Sequence, residues 1–256
     1  MTLDGPQPGQ VVDRPYSRLA PYFAQLFVPR GIRGWFTRGS ALVAAAGVRG
    51  GRHLDVGAGT CRYSRYWTRA GFRTVCLDLL FEMLSRARLA GTQGRLHRVC
   101  GTIDCLRAAP TFDLVTAVDD VACYLGAQPG GLEGFLARLA PRMRRGGVFL
   151  FDFITPAGRH RYTFRSTREV EGGRITADSR GLFDAEARLL SVDLTFTTPE
   201  YVARERHVLR LYTPEEMDGL LRRAGFEVLV VTDLYEGDGI GYRADRPSYD
   251  VLARRV

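Results

Sequence analysis

Two glycines at a strand-to-helix turn are the first residues in this chain whose types and spacing suggest chemistry. In HLDVGAGTCRYSRYW, residues 53–67, Gly57 and Gly59 follow a buried strand and precede a helix. Such a turn lets a ligand approach backbone that a Cβ would block. Asp55 stands two residues before the first glycine, giving D-x-G-x-G-T. An NAD site needs a third glycine where this chain has Arg62, so the spacing argues against NAD.

Cysteines and histidines, the other residue types suited to catalysis or metal binding, show no metal-binding spacing. The five cysteines include no C-x-x-C pair, and the four histidines are scattered singly. An odd number of cysteines also argues against a disulfide framework. We therefore expect no metal site, with Cys76 and Cys100 packing as small apolar side chains.

Short apolar runs that alternate with helical patterns must position the glycine turn. The strand candidates are residues 52–56, 73–78, 95–100, 112–118 and 147–153, and helices are expected around 61–70, 80–90 and 132–144. This alternation is typical of a parallel sheet covered by helices. Ligands of such sheets lie beyond the carboxyl ends of the strands.

After Thr155 the pattern changes to alternation of apolar and polar residues. LLSVDLTFT, residues 189–197, has period two, and RITADSRGLFD and YVARERHVLRLY look like its neighbours in an antiparallel flap. A helix then begins with Thr213 as N-cap, Pro214 at its first position and Glu216 three residues after the cap. Gly225 ends it, and two last strands predict a hairpin at the sheet edge.

Length and composition indicate one core and exclude some partners. The 256 residues are 45% hydrophobic, enough for one sizeable core. The net charge is +8, but all 36 basic residues are arginine and they are spread along the chain without basic runs between aromatics. We therefore expect no nucleic-acid partner. No apolar run has the length of a signal peptide or a membrane span, so we expect a cytoplasmic protein without a membrane partner.

These segments together resemble the class I S-adenosylmethionine-dependent methyltransferase family, from Tyr16 to the C-terminus. The first family motif is matched by Asp55, Gly57, Ala58 and Gly59, while Cys61 stands where the family usually has a third glycine. The resemblance implies S-adenosylmethionine as cofactor. It also implies an α/β fold with a Rossmann-like, doubly wound, seven-stranded sheet, an N-terminal helical cap and an antiparallel β flap after the fifth strand. The expected divisions are residues 1–50 for the cap, 51–154 for the cofactor-binding core, 155–212 for the flap, and 213–256 for the last helix and edge hairpin.

The resemblance also implies the cofactor contacts. In VCLDLLFEMLSRAR, Asp78 matches the acid that takes both ribose hydroxyls, since a carboxylate can accept two hydrogen bonds from a cis-diol. Leu79 corresponds to the apolar residue against adenine. Thr102 replaces the acid that faces the adenine amino group, and Asp104 is the alternative. Further expected contacts are Met83, Ile103 and Val118.

The N-terminal segment YSRLAPYFAQLF is similar to the helix that caps the cofactor in small-molecule members of the family. Tyr16 matches the first family tyrosine and is an expected cofactor contact and catalytic residue. Phe23 occupies the second tyrosine position and Tyr22 comes one residue early, about 100° away on a helix. The alternative is an amphipathic helix whose aromatics simply pack. Tyr22 and Trp35 complete the expected cofactor contacts.

The segment VDDVACYL, at the end of the fourth strand, is expected beside the transferable methyl group. Similar small-molecule N-methyltransferases have an aromatic residue, then Asp, then Asn-Tyr-Leu. Here Asp119 replaces the aromatic, Asp120 matches the Asp, Cys123 replaces the Asn, and Tyr124 matches. A carboxylate there can hold an ammonium group or act as a base. We expect Asp119 to face the acceptor and Asp120 to cap the next helix, with the reverse assignment as the alternative.

The expected function is methyl transfer to a small molecule, with an amine of a natural-product or amino-sugar scaffold as acceptor. Asp119 and Asp120 are the catalytic candidates beside Tyr16. The flap is expected to roof the acceptor pocket or make a homo-oligomer contact. The alternatives are O-methylation of a metabolite, RNA methylation, and a non-catalytic S-adenosylmethionine-binding protein. The other substrate-binding candidates are Tyr124, His160, His207 and Arg210, with Glu205 beside them.

Overall fold

Two β-sheets and their surrounding helices form the described part of the chain, residues 15–26, 31–92, 94–170, 173–234 and 246–256 of a computed structural model. The strands are β1 Arg52–Val56, β2 Arg73–Asp78, β3 Leu96–Cys100, β4 Phe112–Ala117, β5 Met143–Ile154, β6 Phe164–Val170, β7 Gly173–Asp184, β8 Leu189–Thr197, β9 Val202–Arg210, β10 Phe226–Thr232 and β11 Ser248–Arg255. The α-helices are α1 Phe23–Leu26, α2 Ile32–Ala45, α3 Ser64–Arg69, α4 Phe81–Ser85, α5 Val121–Gly126, α6 Gly131–Leu139 and α7 Pro214–Arg223. None of the helices described has the length and apolar character needed to cross a membrane.

The larger sheet has seven strands in the order β10-β11-β5-β4-β1-β2-β3. The first five strands pair in parallel, and β11 pairs antiparallel with both β5 and β10. All five strands predicted before the flap are present, and the last two pair as predicted, with β10 at the sheet edge. Helices α3, α4 and α6 are all shorter than predicted. For α3 the reason is local: residues 57, 59 and 61 have positive φ, which keeps the chain out of helix until Ser64.

The two faces of this sheet bury different helices. On β5, Phe149, Phe151 and Phe153 point to the side that carries α6 and α7. Val148 and Leu150 point to the other side, where α2 packs. All five side chains are at most 1% exposed. Because both faces are covered, residues 148–151 of the strand are all apolar, and the doubly wound prediction is confirmed.

The smaller sheet is antiparallel, in the order β6-β7-β8-β9. On β8 the predicted alternation is confirmed, with Leu190, Val192, Leu194 and Phe196 buried. Strand β6, an edge strand, was missed because its residues FRSTREV carry no alternating apolar pattern. The helix after the flap also begins as predicted. Its N-cap Thr213 accepts a hydrogen bond from the Glu216 amide and donates its own amide to the Glu216 carboxylate.

The N-terminal residues are less helical than predicted. A turn at residues 15–22 leads into α1, which has four residues. Leu19 packs on the inner face of the small sheet against Phe196 and its neighbours. Helix α2, which falls within the expected cap, instead lies against the large sheet, with Trp35 and Val43 almost fully buried. The segment over the carboxyl edge of the sheet is therefore the short stretch before α2.

Candidate active site

The glycine turn after β1 is required by the protein itself as well as by any ligand. Gly57 and Gly59 have φ of 64° and 53°, a left-handed conformation that favours glycine. A Cβ on Gly57 would lie 2.5 Å from Cγ2 of Val121. A Cβ on Gly59 would meet only Cε of Met83 within 4 Å, at 3.2 Å. The first glycine thus makes room for α5, whereas the second faces only the end of the flexible Met83 side chain.

The position of the missing third glycine shows why that residue type is usual there. Cys61 has φ of 58°, so a residue with a Cβ holds a conformation that glycine adopts without strain. Its side chain is fully buried, and its amide donates to the carbonyl of Ala58 over 2.8 Å. The departure from the family pattern therefore preserves the shape of the turn.

Asp55 lies beneath the turn and accepts hydrogen bonds from two neighbouring elements. Its Oδ1 accepts from the Thr116 hydroxyl over 2.6 Å, and its Oδ2 accepts from the hydroxyl of Ser64. Burial raises the pKa of this carboxyl to about 6. Both oxygens are engaged by the protein, so we place Asp55 under the cofactor site as a positioning residue and correct the expectation of a direct contact.

Asp78, at the end of β2, faces the glycine turn. Its Oδ2 accepts from the Gly59 amide over 2.7 Å, and its Oδ1 accepts from the Leu80 amide over 2.9 Å. Each carboxylate oxygen keeps further acceptor capacity. Beside it, Leu79 and Phe81 are 61% and 68% exposed, which is unusual for large apolar side chains. The Asp78 carboxylate and the exposed side chains of Leu79 and Phe81 together form a surface suited to a ribose and an aromatic base.

Thr102 and Asp104, the two alternatives at the end of β3, have different surroundings. The Thr102 hydroxyl accepts from the Asp104 amide at the start of a short 3₁₀ helix. The Asp104 carboxylate lies 3.7 Å from both Arg138 and Arg142. Because Asp104 is directed to these arginines, we keep Thr102 as the candidate at the adenine edge. Three further candidates, Met83, Ile103 and Val118, are buried around the turn.

Two expected cofactor contacts, Trp35 and Tyr22, lie elsewhere. The Trp35 side chain is fully buried, and its indole N–H donates to Asp250 over 2.7 Å. Tyr22 packs on the flap, with its ring centroid 6.3 Å from that of Tyr201. The one-residue displacement of Tyr22 explains its position, because Phe23, in the family's tyrosine position, lines the cavity described below. We correct both assignments: these residues support the fold.

Asp119 and Asp120, between β4 and α5, both take left-handed backbone conformations, with φ of 67° and 66°. The Tyr63 hydroxyl donates to Asp119 over 2.8 Å, and the Tyr162 hydroxyl donates to Asp120 over 2.6 Å. Asp120 occupies the N-cap position of α5, but its side chain makes no capping hydrogen bond. Asp120 is therefore the N-cap residue by position, as predicted, but its side chain is directed to Tyr162 and not to the helix amides. The two carboxylates lie in the wall of one cavity.

Sequence analysis missed Asp152, which holds these two residues in place. Its carboxylate accepts from the amides of Asp119 over 3.1 Å and of Asp120 over 2.8 Å. Burial raises its pKa well above the usual range, and the neighbouring Asp120 raises it further. The sequence signal was an acid inside the apolar run FLFDFI, since a charged residue in a buried strand needs a specific partner.

The cavity between the flap, the N-terminal segment and the carboxyl edge of the sheet has a volume of about 430 Å³. It brings together carboxylates, guanidinium groups, hydroxyls and apolar side chains. Its lining residues are Tyr16, Phe23, Leu26, Arg62, Asp119, Asp120, Arg161, Tyr162, Phe164, Ser166 and Ala177. This volume is suited to a small molecule.

Three predicted residues, Tyr16, Tyr124 and His207, meet at one side of this cavity. The Tyr16 and Tyr124 hydroxyl oxygens are 2.8 Å apart, and the Tyr124 hydroxyl lies 2.8 Å from Nδ1 of His207. Two other predicted substrate contacts lie outside the lining. His160 is exposed on the 3₁₀ helix Pro156–Tyr162. Arg210 lies over the Tyr212 ring, beside a different cavity of about 410 Å³.

The central region of the chain is similar to a known protein family. Residues 54–151 match the family described as "Methyltransferase domain". No curated protein matches the chain.

Solved structures with the same fold cover nearly the whole chain. An S-adenosylmethionine-dependent methyltransferase from Clostridium acetobutylicum is 20% identical with a TM-score of 0.75, over 93% of this chain and 98% of that one. CalS10, an amino pentose methyltransferase from Micromonospora echinaspora, is 22% identical with a TM-score of 0.64, over 88% and 94%. The sugar N-methyltransferase KedS8 from a Streptoalloteichus species is 18% identical with a TM-score of 0.69, over 100% and 98%. Residues 54–151 of this chain thus match a methyltransferase domain, and the chain has the fold of S-adenosylmethionine-dependent methyltransferases.

Proposed function

We propose that the enzyme transfers a methyl group to a basic nitrogen of a small molecule, an amine on a sugar or related natural-product scaffold. The observation that carries the proposal is the pair of carboxylates, Asp119 and Asp120, in the wall of a cavity that adjoins the cofactor edge of the sheet. The amino-pentose and sugar N-methyltransferases among the similar structures support the same acceptor class.

The residues at the ends of β1 and β2 fit S-adenosylmethionine. At Gly59 only the end of the Met83 side chain lies within 4 Å of the position that a Cβ would take, so backbone is accessible there if that flexible side chain shifts. Leu79 and Phe81 offer exposed apolar surface beside the Asp78 carboxylate. Asp78 would hold the ribose hydroxyls, Leu79 would cover the adenine, and Thr102 would face its edge. The bound cofactor supplies an electrophilic methyl group on a sulfonium sulfur. Everything else in the reaction concerns how the protein holds the acceptor and handles its proton.

The cavity carries anionic groups that a cationic acceptor would neutralise. Burial raises the pKa of Asp120, and the Asp119 carboxylate raises it further, while Arg161 and the Tyr162 hydroxyl lower it. Removing a carboxylate from water is costly unless a cation or hydrogen-bond donors accompany it. An ammonium group between Asp119 and Asp120 would offset this cost. The proposal therefore rests on charge as well as on position.

The acceptor nitrogen must present a free lone pair in line with the methyl group. Asp119 and Asp120 hold the amine by hydrogen bonds, which restricts its orientation and brings the nitrogen close to the reacting carbon. An ammonium bound there must release one proton before it can attack. The site thus needs carboxylates to hold the amine and a group that takes its proton.

A methyl-transfer assay with paired acceptors tests the proposal. Each amino sugar in the panel is matched by a sugar of the same ring with a hydroxyl in place of the amine. We expect methylation of amino sugars and none of their hydroxyl partners. Methylation of the hydroxyl partners would overturn the proposal in favour of O-methylation, and methylation of RNA would move the substrate to a different class. Binding of S-adenosylhomocysteine without turnover of any acceptor would indicate a binding protein.

Asp119→Asn and Asp120→Asn separate the two carboxylates, because Asn keeps the shape and removes the charge. We expect Asp119→Asn to lower turnover of the amine by about 10² while cofactor affinity and Tm stay nearly constant. Asp104→Asn is the matched control, since that carboxylate lies near Arg138 and Arg142 and is 60% exposed. A large loss only in Asp120→Asn would transfer the role to Asp120, and normal turnover in both variants would contradict the proposal.

A further inference from the structure

A chain of hydrogen bonds runs from the cavity of about 430 Å³, called the acceptor cavity below, into the interior of the flap. It begins at Tyr16, which lines the cavity, and continues through Tyr124 to Nδ1 of His207, each step being 2.8 Å. On the far side of the imidazole, Nε2 lies 3.3 Å from Oε2 of Glu205, an ion-pair distance without hydrogen-bond alignment. The side chains of His207 and Glu205 are 4% and 0% exposed. These four residues are called the Tyr-Tyr-His-Glu chain below.

The Glu205 carboxylate, at the buried end of the chain, sets the direction of the hydrogen bonds. The Glu205 carboxylate accepts from the Tyr16 amide over 2.7 Å and from the amides of Arg18 and Leu19 over 3.3 Å each. The negative charge of this carboxylate, 3.3 Å from Nε2, favours the neutral imidazole tautomer with its N–H on Nε2. Nδ1 then accepts from the next hydroxyl along the chain.

The hydroxyls of Tyr124 and Tyr16 continue this direction to the cavity. With Nδ1 of His207 as an acceptor, the Tyr124 hydroxyl donates to it, and the Tyr124 oxygen accepts from the Tyr16 hydroxyl. The Tyr16 oxygen therefore has acceptor capacity left, and an N–H in the cavity can donate to it. The resting orientation makes the cavity end of the chain a proton acceptor.

We propose that the Tyr-Tyr-His-Glu chain is a relay that carries a proton from the acceptor nitrogen to the buried imidazole of His207. This inference rests on the proposed function, because an amine held as ammonium is the source of the proton. Tyr16 is the catalytic residue of the relay, since it borders the acceptor cavity. Tyr124, His207 and Glu205 act through it.

The proton balance of the relay closes without any further reagent. The N–H bond of the ammonium breaks, the electron pair stays on nitrogen, and the proton forms a new O–H bond at Tyr16. The previous Tyr16 proton passes to the Tyr124 oxygen, and the Tyr124 proton forms N–H at Nδ1 of His207. The imidazolium then lies beside the Glu205 carboxylate. Reversal of the same steps returns the proton to water that enters the cavity after product release.

The titratable groups around the relay favour hydroxyl transfer. Burial raises the pKa of Tyr16 and of Tyr124, so both remain neutral phenols that can donate and accept together. Asp119, Asp120 and Glu205 each raise the pKa of Tyr16 further by their negative charge. The groups that face His207 are Tyr16 from the N-terminal segment, Tyr124 from α5 and Glu205 from β9.

The imidazole tautomer tests the relay without any acceptor. Two-bond ¹H–¹⁵N correlation spectra of the protein bound to S-adenosylhomocysteine report which nitrogen of His207 carries the proton. We expect the Nε2–H tautomer in the neutral state. An Nδ1–H tautomer would overturn the inference, because His207 would then donate to Tyr124 and could not take its proton.

The pH profile of turnover gives a second and independent test. The side-chain amide of Asn in His207→Asn can still pair with Tyr124 but cannot be protonated in the working pH range. We expect at least a tenfold loss in kcat for the amine, a KM within about twofold, and loss of the ionisation that lowers kcat at acidic pH in the parent enzyme. Tyr124→Phe, which interrupts the chain, is expected to show the same loss in kcat.

Two control variants distinguish loss of the relay from a merely structural effect. His97→Asn replaces an exposed histidine on β3, and Tyr201→Phe removes a hydroxyl that donates to the Arg18 carbonyl over 2.7 Å, tethering the N-terminal segment outside the relay. We expect both to keep the parent kcat and pH profile. An unchanged acidic ionisation in His207→Asn, with Tm and S-adenosylhomocysteine affinity intact, would overturn the relay even while the amine is methylated. Methylation of hydroxyl acceptors alone would instead contradict the proposed function. The His207 tautomer would still test the relay in that case.

Discussion

At the scale of single residues, strained backbone is concentrated at the site. Four of the five described residues that have positive φ without being glycine are Tyr16, Cys61, Asp119 and Asp120. Such conformations cost roughly 1–2 kcal/mol each and persist where surrounding structure fixes them. The Asp152 carboxylate fixes residues 119 and 120, and Glu205 fixes residue 16 through its amide. Buried carboxylates thus hold the backbone that presents the side chains of the proposed site.

Gly57→Ala tests how the glycine turn is packed. We expect the free energy of unfolding to fall by roughly 2–5 kcal/mol, from left-handed strain together with overpacking against Val121. The matched control is Gly47→Ala, where φ is also positive at 92° but a Cβ would meet nothing within 4 Å. Chemical denaturation measures both variants. Equal losses in the two would show that contact with Val121 adds nothing.

Asp78→Ala tests the ribose assignment. Removal of the carboxylate takes a charged acceptor from the diol and the Gly59 amide, so we expect S-adenosylhomocysteine to bind more weakly by roughly 1.5–3 kcal/mol. Calorimetry on the variant and on Asp104→Ala provides the measurement. An unchanged affinity in Asp78→Ala would mean that the ribose is held elsewhere, whereas Asp104→Ala should bind as the parent does.

At the scale of elements, β5 and β11 carry acids at one register position of the sheet. Asp152 pairs in register with Asp250, and both side chains are buried. Asp250 accepts from the Trp35 indole on α2 and from the Leu234 amide, each over 2.7 Å. Asp250 thus joins α2 to β11 at the register position of Asp152, whose carboxylate holds residues 119 and 120 beside the candidate site.

The pH dependence of stability tests the burial of Asp250. Burial raises the pKa of Asp250 to about 7 from an ordinary 3.8, so the folded protein keeps a proton that the unfolded chain releases between about pH 4 and about pH 7. Stability from this group is present at the acidic end and falls as pH rises through that window, by a few kcal/mol.

Denaturation of the parent and of Asp250→Asn across the same pH range measures the effect. We expect a flatter pH dependence in Asp250→Asn, because no carboxyl remains to release the proton. Asp193→Asn, on an exposed pair with Arg206, is the control and should keep the parent slope. A parent slope retained in Asp250→Asn would show that another group titrates.

At the scale of the whole molecule, the flap and the N-terminal segment enclose one side of the acceptor cavity, and the large sheet encloses the other. Leu19 and Leu26 attach the segment to the flap through apolar packing against Ile175 and Phe196. The three backbone hydrogen bonds to Glu205 add to this attachment. The segment thus belongs structurally to the flap while it borders a cavity completed by the sheet.

Hydrogen exchange tests whether this enclosure responds to ligands. We expect amides of residues 16–26 to exchange faster than those of β1 and β4 in the free protein, and to slow when S-adenosylhomocysteine binds. Mass spectrometry of peptides from both regions gives the comparison, with β8 as an internal reference. Equal protection with and without ligand would make the segment an ordinary packed element, which was the alternative raised by its amphipathic pattern.

The sequence by itself determined the parallel core and its ligand edge. Strands β1, β2, β4 and β5 are largely buried, and their short apolar stretches predicted them, while the glycine turn marks the strand end where the sequence predicts a ligand. These are local properties: period, burial and turn chemistry are written in neighbouring residues. The acid and glycine spacing carried the family resemblance for the same reason.

Only the tertiary structure decided which side chains meet. Tyr16, Tyr124 and His207 are separated by 108 and 83 positions, yet their polar atoms lie 2.8 Å apart. The unexpected role of Asp152 depends on the register of β4 and β5, and the position of Asp120 depends on a left-handed backbone. Such contacts arise from packing between distant segments, and no local pattern in one sequence specifies which of many buried polar groups will pair.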